Sequence, residues 1–366
     1  MKAMILAAGA GTRLRPLTEY CPKPMLPIVD RPVIDFLLEL LKKYRVSQLM
    51  INISHLGWKI QDYVRDGSRY GLNVGYSFEG YFDSGELVTE PIGSAGGLKR
   101  IQDFSGFFDE TFVVLCGDAI VDMDLNSVIS IHKERGAIAT IAATHVPLEN
   151  VSNYGVILCK DDGRVVSFQE KPAQKEAKST LVNTGIYFFE PEVFDYIPSG
   201  SFYDIGSQLI PDLVSRGKTV VAAKTDISWF DIGRTTDYLE VLGTALERGI
   251  PGFHPGGVEI SEGVFVGAGA SIEPHVEIEP PVYIGGSCKI GRNSVIKGPS
   301  ILGANSVVGE GCEVVSSTII DYTRISSHTS VRDLLISPDF VLDREGIPVS
   351  LENSKLYGKI SDARKH

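Results

Sequence analysis

Positive charge is concentrated at the start of the chain. Gly9-Ala10-Gly11-Thr12-Arg13-Leu14-Arg15-Pro16 is followed by Pro22-Lys23-Pro24, and the first 25 residues hold Lys2, Arg13, Arg15 and Lys23 against the single acid Glu19. A glycine-rich turn after a strand lets backbone N–H groups approach phosphate closely. Leu14 stands at the third glycine position of the dinucleotide fingerprint, and no adjacent Lys-Ser/Thr pair makes a Walker loop. The patch is therefore suited to a polyphosphate gripped by side-chain cations. Farther on, Asp118 and Asp231 follow apolar runs as single carboxylates at expected strand ends. Each of these residues also has a plain structural reading. Asp118 suits a turn, Asp231 could cap the helix that follows, Lys23 could be a solvated loop charge, and Glu170-Lys171 a surface pair of little weight.

The elements that must carry these groups alternate between strand and helix. Lys2–Ala7, Gln48–Ser54, Phe112–Cys116 and Thr140–Ala143 read as strands, Val33–Tyr44 as an amphipathic helix, and Asp161-Asp162-Gly163 as a hairpin turn. This pattern predicts an α/β layered domain on a mostly parallel sheet, with ligands at the carboxyl ends of the strands. The loops after Ala7, Cys116 and Phe230 are then the places to search. A helix over Thr235–Arg248 ends at Gly249, before the Gly/Pro-rich stretch that opens at Ile250.

Beyond that point the pattern changes. Ile260, Val266, Ile272, Ile278, Ile284, Ile290, Ile296, Leu302, Val308, Val314 and Ile320 recur every six residues. One inward aliphatic per hexad is the signature of a parallel β-helix, with three hexads to a coil. Small residues two places before the aliphatic, and glycine after it (Gly267, Gly285, Gly291, Gly303, Gly309), suit corners that need little volume or positive φ. The repeat is expected to fade after Ile320, with Ile325 out of phase. The expected organisation is a domain over 1–248, a linker over 249–257, a β-helix over 258–330, and a cap over 331–366.

Composition limits the partners. With 35 Lys+Arg against 46 Asp+Glu the net charge is -11, and no long basic run offers a surface to nucleic acid or an anionic membrane. The five cysteines form no C-x-x-C pair, so reduced thiols are expected, and the seven histidines show no metal-ligand spacing. The N-terminal apolar run passes straight into a glycine loop, unlike a signal peptide, and no apolar stretch is long enough to span a bilayer. A soluble cytoplasmic protein is expected.

The segment Gly9–Thr18 with Lys23-Pro24 resembles the N-terminal signature of the nucleotidyltransferases that activate sugar 1-phosphates. Other landmarks of that family follow in order: Glu90 with Gly93-Ser94-Ala95-Gly96-Gly97, Gly117-Asp118, Tyr154-Gly155, Glu170-Lys171-Pro172, Asn183-Thr184-Gly185, and Trp229-Phe230-Asp231-Ile232-Gly233. The resemblance covers essentially the whole chain. It implies a Rossmann-like mixed sheet followed by a left-handed parallel β-helix of hexapeptide repeats, and the reaction NTP + sugar 1-phosphate → NDP-sugar + pyrophosphate. By the same resemblance, Ala8, Gly9, Gly11, Thr12, Arg13, Glu90, Gly93 and Ser94 would bind the nucleotide, and Gly155, Glu170, Lys171 and Asn183 the sugar phosphate. Arg13, Lys23 and Asp118 would serve catalysis, and Asp118 and Asp231 would hold Mg2+, an ion that favours hard oxygen ligands. Asp122 and Asp124 are read as capping or surface acids, and Trp229 as packing beneath the metal loop.

Two substrate pairs compete. A carboxylate at Glu90 facing the base would meet two adjacent donors on guanine but only one on uracil, which favours GTP and mannose 1-phosphate. The stretches Gly93–Phe104, Val113–Asp118, Tyr196–Gly200 and Ser361–His366 look most like cyanobacterial-type UDP-glucose pyrophosphorylases, which favours UTP and glucose 1-phosphate. The longer likeness is given more weight. A non-catalytic subunit of the exchange-factor type is disfavoured by the retained Arg13, Lys23, Asp118 and Asp231. An acyltransferase in the β-helix would need a catalytic histidine, for which only the isolated His275 and His328 are candidates. The β-helix is expected to drive homo-oligomerisation.

Overall fold

The computed structural model describes residues 1–352 and 354–365; Asn353 and His366, both inside the expected 331–366 cap, lie outside the described residues. The chain divides into two compact units. The first comprises Met1–Gly11, Thr18–Leu26 and Val33–Phe230, and the second Thr12–Leu17, Pro27–Pro32 and Asp231–His366. Among the described residues no helix is long and apolar enough to cross a membrane.

The first unit contains, in chain order, β1 (Lys2–Ala7), α1 (Val33–Lys43), β2 (Gln48–Ile53), β3 (Asn73–Phe78), α2 (Ser94–Ser105), β4 (Phe112–Cys116), β5 (Ala119–Met123), α3 (Leu125–Glu134), β6 (Ala139–His145), β7 (Gly155–Cys159), β8 (Val165–Glu170), β9 (Leu181–Phe189), β10 (Val220–Lys224) and β11 (Ile227–Asp231). The last residue of β11, Asp231, opens the final segment of the second unit. The sheet runs β8-β7-β9-β4-β1-β2-β3, with β6 pairing both β9 and β10. Strands β4, β1, β2 and β3 are mutually parallel, whereas β9 runs antiparallel to β4 and β6.

The apolar runs of the sequence follow from this layering. Along β1, Ala3, Ile5 and Ala7 face one core with Leu37 and Leu41 of α1, while Met4 faces the other with Leu98 and Ile101 of α2. A strand covered on both faces needs no polar alternation. The expected hairpin at Asp161-Asp162-Gly163 joins the antiparallel pair β7 and β8.

In the second unit, α4 (Thr235–Leu246) is tied to the Pro27 segment, where the Tyr238 hydroxyl donates to the Pro27 carbonyl at 2.7 Å. The β-helix stacks Val266 on Ile284 and Leu302, Ile272 on Ile290 and Val308, and Ile278 on Ile296 and Val314, each 18 residues apart. The expected fading at Ile320 is corrected by the register. Leu302 pairs with Ile319, Val308 with Ile325, Val314 with Val331 and Ile319 with Ile336, so the spacing becomes 17 and the parallel ladder continues. One residue is missing from a corner in each of two successive coils, between Val314 and Ile319 and again between Val331 and Ile336. Ile319 and Ile325 are therefore the fully buried rungs, and Ile320 is only partly covered. Val341–Leu342 and Ile360–Asp362 then fold back antiparallel onto Leu335–Ile336 and Thr323–Ile325, covering two open edges.

The corner glycines are explained by volume alone. A Cβ on Gly267, Gly285, Gly291, Gly303 or Gly309 would lie 2.4–2.6 Å from a backbone nitrogen of the next coil. Left-handed backbone falls instead on residues such as His275, Ser287, Asn293, Asn305 and His328. His275 and His328 thus occupy the same kind of corner as the asparagines, which accounts for them without chemistry.

Candidate active site

The segment after β1 is shaped before any ligand arrives. Gly11 has φ +62°, and a Cβ there would meet the Thr18 methyl at 2.8 Å. Thr18 in turn donates its hydroxyl to the Gly11 carbonyl at 2.9 Å, folding the loop back on itself. Ala8 is partly covered, Gly9 is exposed, and Thr12 and Arg13 are exposed at the start of the second unit's first segment. Within that unit the Arg13 guanidinium lies beside Gly233, where a Cβ would sit 3.8 Å from its Nη1 and 3.0 Å from Asp231 Oδ2. Asp231 is not the helix cap. The N-cap position of α4 is Arg234, three residues beyond Asp231.

Lys23 is equally unlike a solvated loop charge. It is buried at 8% exposure, and its Nζ lies 2.5 Å from Asp118 Oδ2. Asp118 follows β4 in a turn, as its plain reading allows, but its carboxylate is the counter-charge of a buried ammonium. The Asp118 side chain remains 36% exposed, so the pair opens to solvent on its acidic side. Asp124 caps α3 by accepting from Asn126 N–H, and Asp122 pairs with Lys43 at the surface, as expected of both.

Sheet register brings the expected sugar-side residues together. Gly155 pairs with Glu170 across β7 and β8, and the Val156–Val182 pairing sets Gly155 beside Asn183. Asn183 donates through Nδ2 to the Tyr187 hydroxyl at 2.6 Å and accepts from Gly185 N–H at 2.9 Å. Burial, with Cys116 next in weight, holds the Tyr187 phenol well above its ordinary range. It is therefore a neutral phenol throughout the physiological range. Lys171 pairs with Glu170 at 3.0 Å, both largely exposed, so this pair by itself contributes little stability. Trp229 packs edge-on against Tyr154 with ring centroids 5.0 Å apart.

Among the residues expected to border the base, Gly93 precedes α2 and Glu90 is exposed on the loop before it. Ser94 is committed to protein bonds: its hydroxyl donates to Asp204 Oδ2 at 2.7 Å and accepts from Ile205 N–H at 2.8 Å. Although burial alone would raise it, the Asp204 carboxyl sits below its ordinary value because it accepts from Ser207 and Ser94. Asp204, Tyr187, Asn52 and Glu79 belong to no contiguous motif, and reading the sequence missed them. Asn52 and Glu79 carried one usable signal, their position at or just after the carboxyl ends of β2 and β3.

Asp118 offers hard carboxylate oxygens, one of which is already engaged by Lys23, and this donor chemistry fits Mg2+. Among the described residues no group of three His, Cys, Asp or Glu forms a closed metal cage. Mg2+ is commonly held by one or two carboxylates with substrate phosphates completing its shell, so such a cage is not required.

A family model described as nucleotidyl transferase matches residues 2–248. A UTP–glucose-1-phosphate uridylyltransferase of Synechocystis is 47% identical over 365 residues, covering 100% of this chain and 94% of that protein. A mannose-1-phosphate guanyltransferase beta-B of Xenopus laevis is 32% identical over 241 residues, 65% of this chain and 63% of that one. Among solved structures, a UDP-glucose pyrophosphorylase complexed with UDP-glucose has a TM-score of 0.56 at 24% identity, covering 68% of this chain and 98% of that chain, a likeness of fold. The early charged loop, the mixed sheet and these full-domain likenesses agree, and the chain belongs to the nucleotidyl transferase family.

Proposed function

We propose that this protein transfers the uridylyl group of UTP to glucose 1-phosphate, releasing UDP-glucose and pyrophosphate. The observation that carries this reading is the 47% identity to the Synechocystis uridylyltransferase, which extends through the β-helix and not only over the catalytic segment. A phosphate oxygen of glucose 1-phosphate attacks the α-phosphorus of UTP, and the bond to the bridging oxygen of pyrophosphate breaks. No general base is required, because a sugar phosphate is largely dianionic at neutral pH, its second pKa being about 6. The chain has to align the reactants and offset charge on the α-phosphoryl group and the leaving pyrophosphate.

In this reading the backbone of Ala8, Gly9, Gly11 and Thr12 borders the triphosphate, Arg13 stabilises the α-phosphoryl group, and Lys23 follows the charge onto the leaving group. Glu90, Gly93 and Ser94 border the base. Gly155, Glu170 and Asn183 receive the sugar, with Lys171 on its phosphate. Asp118 and Asp231 would hold Mg2+, which when bound supplies charge neutralisation to the phosphates. The contact with Lys23 orients the Asp118 carboxylate. We further read the protein as a cytoplasmic homo-oligomer that associates through its β-helix, which light scattering at graded concentration would test.

The deciding experiment is Mg2+-dependent pyrophosphate release over a grid of four nucleoside triphosphates and the 1-phosphates of glucose, mannose, galactose and N-acetylglucosamine. The UTP and glucose cell should show the highest kcat/KM. A maximum at GTP and mannose, the pair suggested by the exposed Glu90, would replace the substrate assignment. Release in no cell would remove the enzymatic reading.

A further inference from the structure

A buried polar bridge runs beneath the two nucleotide loops. Asn52, at the end of β2, is 2% exposed, and Glu79, just after β3, is 5% exposed. Asn52 Oδ1 accepts from Ala7 N–H at 2.7 Å, at the last residue before the Ala8–Gly11 loop. Its Nδ2 donates to Glu79 Oε1 at 2.6 Å. The Glu79 carboxylate also accepts from the backbone of Ile92, and independently of that side chain the Glu79 main-chain carbonyl accepts from Glu90 N–H at 3.2 Å. The loop that follows Ala7 and the loop of Glu90 and Gly93 are thus joined through two side chains.

This arrangement is costly for a fold that needs only packing. A buried carboxylate carries a desolvation penalty of several kcal/mol, and an apolar pair of the same volume is often neutral or stabilising. Glu79 forms no close ion pair among the described residues; Arg100 acts on it only at longer range, and burial pushes its carboxyl above the ordinary value. The neighbouring helix is also adapted to the bridge. A Cβ on Gly97 of α2 would lie 2.6 Å from Glu79 Oε1 and 3.1 Å from Asn52 Nδ2.

We propose that Asn52 and Glu79 are positioning residues that set the spacing between the triphosphate loop and the base loop, so that their loss is felt in nucleotide binding and not in sugar-phosphate binding. The inference rests on the nucleotidyl-transfer reading, and the sugar-side residues Gly155, Glu170 and Asn183 lie on other strands. The bridge makes no contact of its own with the reacting atoms; its side chains act through the backbone of Ala7 and Ile92.

The test is a set of initial-rate measurements on the full-length protein, varying UTP at saturating glucose 1-phosphate and the reverse. Asn52→Leu and Glu79→Leu should each raise KM for UTP at least tenfold and leave KM for glucose 1-phosphate within about twofold. Glu79→Gln retains an acceptor oxygen for Asn52 and should restore most of the UTP affinity. If the leucine variants do not fold, Gly97→Ala presses a methyl group on the bridge at a helical position that tolerates alanine, and it should reproduce the same split. A wild type inert with all four nucleoside triphosphates would overturn the nucleotidyl-transfer reading and this inference with it. If the wild type is active with GTP in place of UTP, the split should appear in KM for GTP and the bridge stands. An active wild type whose folded variants shift both KM values equally, or neither, would overturn the bridge alone.

Discussion

Removing either partner of the Lys23–Asp118 pair should have unequal consequences, because the two are unequally buried. The Lys23 side chain is 10% exposed and that of Asp118 36%. Asp118→Ala leaves an ammonium with almost no water and no counter-charge. Breaking a buried pair in this way costs about 3–5 kcal/mol, and the solvent opening on the acidic side lowers the expectation to about 2–4 kcal/mol. Lys23→Met keeps the apolar stem and leaves a carboxylate that can rehydrate, so about 0–1 kcal/mol is expected. The double variant should lie near Lys23→Met, giving a coupling of about 2–4 kcal/mol, the whole of the Asp118→Ala effect. Both tryptophans, Trp58 and Trp229, lie in the first unit, so urea unfolding followed by their fluorescence reports that unit separately. If Lys23→Met destabilises as much as Asp118→Ala, or the two effects simply add, the burial argument is wrong. Asp118→Asn keeps an acceptor for Lys23, and should remain folded while turnover falls about 10²–10³-fold.

Gly155→Ala would bring a methyl group within 2.3 Å of Phe168 Cζ, so a loss of about 1–3 kcal/mol is expected, with a higher KM for glucose 1-phosphate than for UTP relative to wild type. In the β-helix, Ile319→Ala should cost about 2–4 kcal/mol and Ile320→Ala less than about 1, since only Ile319 is an inward rung; equal losses by chemical denaturation would contradict the 17-residue register. His132 is fully buried between Thr140 and Glu190, and burial lowers its imidazole below the ordinary 6.5 despite the opposing Glu190. The unfolded chain therefore binds this proton first, so stability is full above pH 6.5 and declines as pH falls from there through the lowered native value. A His132→Gln variant should flatten that decline in a pH series of unfolding midpoints, and an unchanged slope would exclude His132 as its source.

The chemistry of the loop after β1, the strand ends at Ala7 and Cys116, and the hexad ladder were legible in the sequence because each is a local signal: contiguous residues or a fixed period. Strand boundaries followed for the same reason, and Phe112–Cys116 appears in the structure as expected. Single residues outside motifs were not legible. Asp231 was open to reading as a helix cap and Lys23 as a surface charge, since burial and hydrogen-bond partner are not properties of sequence neighbourhood. Only folding brings Lys23 to Asp118, 95 positions away, and Asn52 to Glu79, 27 positions away. The one-residue slip beyond Leu302 has the same origin. Hydrophobic period alone selected Ile320, and stacking against the preceding coil turns Ile319 inward instead. Local pattern thus determined the elements and the class of chemistry, while the partners of each charge, and the polar bridge between the loop after Ala7 and the loop before α2, arose from strand order and register, where long-range contacts are made.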